Sequence, residues 1–336
     1  MGEQNPTLSI VITTYSPDRL KDIGELIGSL QSQTYDHILE IVFVVEQSIE
    51  LRDGIQIYID NMSVHNARII FNSERLGICA ARNLGARQAQ GNIVAFTDDD
   101  ALPYPDWAEE IVRTFDDESV IGVTGPAIPL WENQSTSWFP EEFYWIVGGT
   151  TWFDGDKMRP VRNAWGMNMS FRKEAFDSCQ FAVDLGISQG ANKAGKVGLV
   201  GDDTEFSMNL IRITGKLIIY NPKVRVRHKV YSYRLTPLFI RRHAYWQGYT
   251  KAVLKKLYGK NAQKNNAMEM ETEYRLLKRI LLRLLPGTFL GFFRHPFIAW
   301  KKFCLTVSVL FHFSLGYFSA ALPALGTYTR KAYGSQ

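Results

Sequence analysis

Short apolar runs recur along the first 125 residues, separated by stretches of helical spacing. "LSIVIT" (8–13) and "IVFVV" (41–45) are almost unbroken, "ARIIF" (67–71) is shorter, and "IVAF" (93–96) and "VIGVTG" (120–125) continue the series. Between them, Ile23, Leu26, Ile27 and Leu30 lie at helical spacing within 18–33. Residues 76–90 read as a helix entered through Gly77, and 106–115 as another; 55–61 is ambiguous. Continuous apolar strands alternating with helices predict an α/β fold, a mostly parallel sheet with helices on both faces. Such sheets bind ligands at the carboxyl ends of their strands. Thr13–Ser16, Glu46–Ser48 and Asp98–Asp100 should therefore share one rim.

The pattern then changes. Residues 126–160 are rich in Trp, Pro and Gly and read as an irregular insertion. Trp131, Trp138, Trp145 and Trp152 are spaced seven apart, which fits a row of rings lining a ligand site and equally a helix face or core cluster. After a linker at about 251–273, residues 274–293 set Lys278, Arg279 and Arg283 among many leucines ahead of Pro286 and Gly287, as an amphipathic interfacial helix would. Residues 303–325 contain no Asp, Glu, Lys or Arg. A helix of that length reaches ~34 Å, about a bilayer core. Lys301 and Lys302 precede it, and Arg330 and Lys331 follow. The expected division is an α/β domain over 1–235 (halves 7–125 and 126–235) and a membrane-associated region over 236–336. Whether 303–325 spans or re-enters stays open, and His312, Gly316 and Pro323 suit a buried hairpin as well.

Composition narrows this a little. The chain has 336 residues, 46% hydrophobic, and a net charge of +4. From Lys216 to Arg242 there are eight Lys or Arg and no acid, a patch suited to phosphates, an anionic membrane or a plain exposed face. Cys79, Cys179 and Cys304 are widely spaced and form no CxxC, which argues against a disulfide scaffold or zinc site and fits a reducing, cytosol-facing compartment. The N-terminus enters a strand pattern directly, without a signal-peptide pattern.

Four short motifs carry the chemistry. Adjacent carboxylates repel, and Asp98-Asp99-Asp100 at a strand end suits a divalent cation with a diphosphate on it. A solvated turn capping a helix before Pro103 fits the triplet too. In "GDDTEF" (201–206), Asp202 and Asp203 sit where a helix N-terminus favours acids, and one of a close pair suits a general base. In "NAWGMNMSFRKEAF" (163–176), Gly166 permits close backbone approach, while Asn168 and Ser170 offer hydrogen bonds. In "VRVRHKV" (224–230), His228 sits in an alternating strand pattern, where a lone His is more often structural than a ligand.

In this order and spacing, "LSIVITTYSPDRL", "EIVFVVEQS", "ERLGICAARNLGARQAQGNIVAFTDDD", "GMNMSFRKEAF" and "GDDTEF" resemble the family 2 glycosyltransferases of the GT-A fold, over about residues 7–230. The resemblance implies inverting transfer of a sugar from a nucleotide-diphosphate donor, UDP- or GDP-linked, with Mn²⁺ or Mg²⁺. It implies that Asp98–Asp100 is the DxD motif, with Asp98 near the ribose and metal, Asp99 beside the donor, and Asp100 on the metal. It makes Asp203 the base for the acceptor hydroxyl. Thr13, Thr14 and Tyr15 would cradle the nucleobase, Arg82 would lie near base or phosphate, and His228 would complete the metal shell. The chain departs from the family at Thr13-Thr14-Tyr15-Ser16, where Pro-Thr-Tyr-Asn is usual, and at Glu46-Gln47, where two acids or Asp-Asn are usual; Glu46 can still accept from a base edge. No Gln-x-x-Arg-Trp motif of processive synthases occurs; "RRHAYWQGYT" (241–250) stands in that region. Arg241, Arg242 and Trp246 are weak candidates for phosphate or acceptor, with Asn168 and Asp202. The expected partners are a lipid-linked glycan acceptor and membrane lipids, not nucleic acid, with catalysis on the cytoplasmic side. The rivals are a nucleotidyltransferase and an inactive membrane-anchored glycan-binding protein of the same fold.

Overall fold

The computed structural model describes residues 5–136, 138–150, 156–183, 200–258 and 271–322. Trp152, the glycine-rich stretch before Val200, part of the 251–273 linker and the pair Arg330 and Lys331 lie outside these. The chain forms two compact units: residues 1–128, 153–189 and 202–229 make the first, and 129–152, 190–201 and 230–336 the second.

The strands are β1 (Leu8–Thr14), β2 (Ile38–Glu46), β3 (Ala67–Asn72), β4 (Ile93–Asp98), β5 (Ala101–Pro103), β6 (Val120–Thr124), β7 (Ala127–Trp131), β8 (Arg159–Val161), β9 (Asn168–Arg172), β10 (Leu217–Tyr220) and β11 (Val226–Val230). Eight form one sheet in the order β3-β2-β1-β4-β9-β6-β10-β8. The β3-β2-β1-β4 and β6-β10 pairings are parallel, whereas β9 is antiparallel to β4 and β6, and β8 to β10. Six strands therefore run one way and two the other, the mostly parallel sheet that the apolar runs predict. Ile10, Ile12, Val42, Val44 and Val94 are fully buried at its centre, as strands covered on both faces require.

The helices of this unit are α1 (Leu20–Gln31), α2 (Ile49–Asn61), α3 (Ile78–Gln88) and α4 (Trp107–Thr114). In α1 the buried residues include Ile23, Leu26, Ile27 and Leu30, the four at helical spacing in the sequence. The ambiguous stretch at 55–61 belongs to α2, which starts earlier because Ser48 caps it, its hydroxyl accepting from Leu51 N at 3.1 Å. Leu51, Ile55 and Ile59 then face inward. Gly77 precedes α3 at φ +93°, a conformation that favours glycine. Lys173 closes the other end of α3, its Nζ donating to the Ala89 carbonyl at 2.7 Å and to that of Ala86.

The second unit is mainly helical. After α5 (Tyr144–Val147) the chain returns to it as α8 (Pro237–Tyr258), α9 (Glu271–Arg279), a π-turn at Ile280–Leu284, α10 (Leu285–Arg294) and α11 (Pro296–Ala321); α6 (Ala175–Ser178) and α7 (Asp202–Thr214) belong to the first. The amphipathic stretch at 274–293 is thus helical but interrupted. Its core joins Phe143, Ile146 and Val147 to Ile240, Ala244, Leu305 and Val309, and Trp131, Trp138 and Trp145 pack against it. Those three tryptophans follow the core-cluster pattern. Helix α11 alone, among the described residues, is long and apolar enough to cross a membrane.

One close approach is testable. A methyl on Gly85 would strike Val11 Cγ1 and reach Val44 Cγ2 at 3.1 Å. Gly→Ala in a helix usually stabilises by up to about 1 kcal/mol, but overpacking costs about 1–3 kcal/mol. Overpacking should win, so Gly85→Ala should lower stability by about 1 kcal/mol or more in urea unfolding.

Candidate active site

The parallel register carries the ends of β1, β2 and β4 to one rim. Thr13 stands opposite Asp98, and the chain leaves β4 through Asp99 and Asp100. Thr14 Oγ1 donates to Asp99 Oδ2 at 2.6 Å. Burial, then the charge of Asp100, pushes Asp99 up to about 7, against the Thr14 bond and Arg19. Strand β5 follows at once and pairs antiparallel with β11, placing Ala101 opposite His228. That pairing brings the imidazole to the acids: His228 Nε2 lies 3.1 Å from Asp100 Oδ1 and 4.0 Å from Asp98 Oδ2.

Ligand atoms of Asp98, Asp100 and His228 lie within 4.8 Å of one another. Asp100 and His228 are each only 2% exposed, and His228 Nδ1 is buried without a hydrogen-bond partner. Two carboxylates and an imidazole suit a hard or borderline divalent cation such as Mg²⁺ or Mn²⁺. Burial raises the cost of leaving their charge unbalanced. The donor set therefore fits a metal. It also shows a residue that motif reading did not pick out: Arg19 Nη1 lies 3.3 Å from Asp100 Oδ2, and its Nε 3.8 Å from Asp99 Oδ1. A signal existed, since a cation directly after the first strand must lie at the ligand-binding rim.

A second set of charges adjoins the first. Arg82, on α3 and 3% exposed, points Nη2 at Asp98 Oδ1 (3.4 Å) and pairs through Nη1 with Asp202. Asp203 follows at the start of α7. Its Oδ2 accepts from Gly166 N at 3.0 Å and its Oδ1 from Thr204 N at 2.6 Å. Burial, then the adjacent Asp202 charge, holds Asp203 above the ordinary aspartate range despite Arg82 and the two amides. Gly166 matters sterically, because a methyl there would lie 2.8 Å from Arg82 Nη2.

The remaining candidates are placed variously. Tyr15 is exposed at the rim with the Arg75 guanidinium 3.8 Å above its ring. Glu46 is buried, and its oxygens accept from Leu76 N and Gly77 N at 3.2 Å each. It thus holds the turn into α3, and burial raises its carboxyl. Asn168 is fully buried, accepting from Trp107 Nε1 at 2.9 Å and donating to the Val224 carbonyl at 2.7 Å. Arg241, Arg242 and Trp246 belong to the second unit, on α8, where Trp246 is buried beside Tyr245 and Tyr249.

Comparison with known proteins matches the model of glycosyl transferase family 2 to residues 9–179. The chain is a family 2 glycosyltransferase. Over 262 residues it is 33% identical to a glucosyl-dolichyl phosphate glucuronosyltransferase of Haloferax volcanii, covering 77% of this chain and 81% of that protein. Its fold is also that of a mannosyltransferase, PcManGT of Pyrobaculum calidifontis, solved with GDP-Man and Mn²⁺ (TM-score 0.59, 17% identity, 94% of this chain and 88% of that one). GalNAc-T7, solved with UDP, GalNAc and Mn²⁺, is similar at TM-score 0.52 and 14% identity, over 82% of this chain and 56% of that one. The family match and the Haloferax relative favour a glycosyltransferase over the nucleotidyltransferase alternative.

The buried pair makes a stability prediction. Removing one partner of a buried ion pair costs about 3–5 kcal/mol because the other charge is stranded. Arg82→Met should lower the unfolding free energy of this glycosyltransferase by that order in denaturant titration. The glycosyltransferase should also bind Mn²⁺, seen as loss of free-ion signal in electron paramagnetic resonance. Asp100→Asn should abolish that binding and His228→Asn weaken it, while Asp106→Asn, which removes an acid paired with Arg225, should leave it unchanged.

Proposed function

We propose that this glycosyltransferase moves a sugar from a UDP- or GDP-linked donor, with inversion and with a divalent cation, to a lipid-linked acceptor, a polyprenyl or dolichyl phosphate or diphosphate carrying sugar. The observation that supports this most is the convergence of Asp98, Asp100 and His228, one guanidinium away from the Asp202–Asp203 pair. The dolichyl phosphate acceptor in the name of the Haloferax relative supports the lipid. A cytoplasmic-side location at a membrane, for surface glycan or glycoprotein precursor synthesis, follows from that reading.

The roles follow from position. Asp98, Asp100 and His228 would hold the cation, which would supply positive charge against that developing on the departing nucleotide diphosphate. Thr13, Thr14 and Tyr15 line the end of β1, with the exposed Tyr15 ring available to a nucleobase. Asp203, fixed by two backbone amides, takes the proton of the attacking hydroxyl. The bond from the anomeric carbon to the donor phosphate breaks as the bond to the acceptor oxygen forms. Arg82, paired with Asp202, opposes the rise that burial and the Asp202 charge impose on Asp203. Asn168 ties the floor of the site to α4, and Glu46 shapes the loop leading to Arg82.

The test is turnover of a panel of UDP-, GDP- and dTDP-sugars by detergent-purified protein, with Mn²⁺ or Mg²⁺ and a polyprenyl-phosphate sugar acceptor. One donor should be consumed, and Asp100→Ala should lose it. A base whose pKa is raised is protonated below that pKa. Thus kcat/KM should climb with pH through an acid limb lying above the ~3.9 of a free aspartate. Asp203→Asn should remove that limb and about 10²–10⁴-fold of the rate. Full activity in Asp203→Asn would assign the base elsewhere, and no metal-dependent consumption of any donor would overturn the reading.

A further inference from the structure

The second unit carries a surface that sugar transfer does not use. Along α11, Phe297, Trp300, Val307, Phe311, Phe318 and Leu322 fall on one helical stripe, and each is between 51% and 68% exposed. Cys304 and Ser314 complete it, so the stripe has no charged residue of its own, though the neighbouring Lys301 ammonium lies 4.4 Å from the centre of the Phe297 ring. On α10, which packs beside it, Phe289, Leu290 and Phe293 are also exposed, Phe293 at 91%. Patches this apolar mark interaction sites.

The opposite face of α11 is covered by α8, which runs alongside it in the same direction. Ile240 and Ala244 share a core with Leu305 and Val309. A methyl on Gly248 would strike the Phe313 carbonyl, and one on Gly316 the Tyr245 carbonyl, so the two backbones touch. Further on, Lys256 Nζ donates to the Ala320 carbonyl at 2.7 Å. Helix α8 thus follows residues 305–320 throughout, and it carries Arg241, Arg242, Lys251, Lys255 and Lys256. A Lys or Arg at the bilayer centre is costly. Taking α8 across with α11 would bury five, and crossing alone would tear the glycine interlock apart.

Charge selects the occupant of the exposed face. After Glu273 the sequence holds no Asp or Glu, while residues 274–322 contain seven Lys or Arg, of which Arg279 is paired with Glu141 and Glu142. A second copy would oppose these cations with its own, whereas an anionic lipid surface complements them. We propose that α10 and α11 lie within the headgroup–acyl boundary of an anionic bilayer, inserted through this stripe without crossing the membrane. The inference rests on the second unit alone and does not depend on the sugar-transfer reading.

Cys304 makes the test direct, since it is exposed on the stripe while Cys79 and Cys179 are buried. The full chain would be labelled there with an environment-sensitive fluorophore. In the Cys304→Ser background, Phe311→Cys and Ser314→Cys would be labelled in turn. Each is mixed with phosphatidylcholine vesicles with or without phosphatidylglycerol, and lipids doxyl-labelled at graded depths quench the probe. The expected result is binding at least 10-fold tighter to the anionic vesicles, lost in high salt, with all three positions equally shallow. Phe311→Glu with Phe318→Glu should weaken binding at least 10-fold while leaving helix content and Mn²⁺ binding intact. A depth profile with its maximum at mid-helix would mean that α11 spans, overturning the proposal. Absence of binding to either vesicle, or concentration-dependent self-association in its place, would overturn it too.

Discussion

Like charges held close together out of water set the terms for the catalytic unit. Asp98, Asp99 and Asp100 leave a buried strand in succession, and Asp202 with Asp203 opens a helix nearby. No hydrophobic core would tolerate such a group without counter-charges. The fold supplies them from separate elements: Arg19 from the turn after β1, Arg82 from α3, and His228 from β11. Each arrives by backbone geometry, through the parallel register, the glycine entry to α3 or the β5–β11 ladder. The Thr14 hydroxyl and the amides of Gly166 and Thr204 then fix individual oxygens. Two carboxylates and an imidazole are left converging, a donor set that fits a divalent cation.

This arrangement explains why an apolar strand and a polar site are inseparable here. The carboxylates are useful only if they cannot retreat, and Val94 to Phe96, buried on both faces, prevent that. Glu46 follows the same principle in a different role. Its charge is spent on two amides of the turn into α3, so that it orders the approach to Arg82.

Much of this was legible in the sequence because the signals were local. Unbroken apolar runs announced the strands, helical spacing announced α1, and the acids stood in consecutive positions. The start of α2 is set by the Ser48 cap, which lies outside the periodic segment at 55–61 and leaves no periodic signal. Arg19 was missed because its importance comes from where the strand ends. His228 in its alternating strand reads as structural from the residues alone, and only the pairing with β5 shows which groups it meets. The buried commitments of Asn168 and Trp246 are tertiary facts, invisible to residue type. The partnership of α8 with α11 was hidden for the same reason, since neither glycine advertises its partner along the chain.

The β5–β11 ladder has a consequence for how the molecule is made. Asp98 and Asp100 leave the ribosome long before His228 does, with β6 to β10 between them. Pairing of such distant segments is slow to nucleate. Until synthesis has passed β11 and its strand has docked, the nascent chain holds Asp98 and Asp100 with nothing to set His228 against them. The convergence of the three side chains is therefore an event of late maturation, and a chain arrested before Val230 would carry most of a sheet without it.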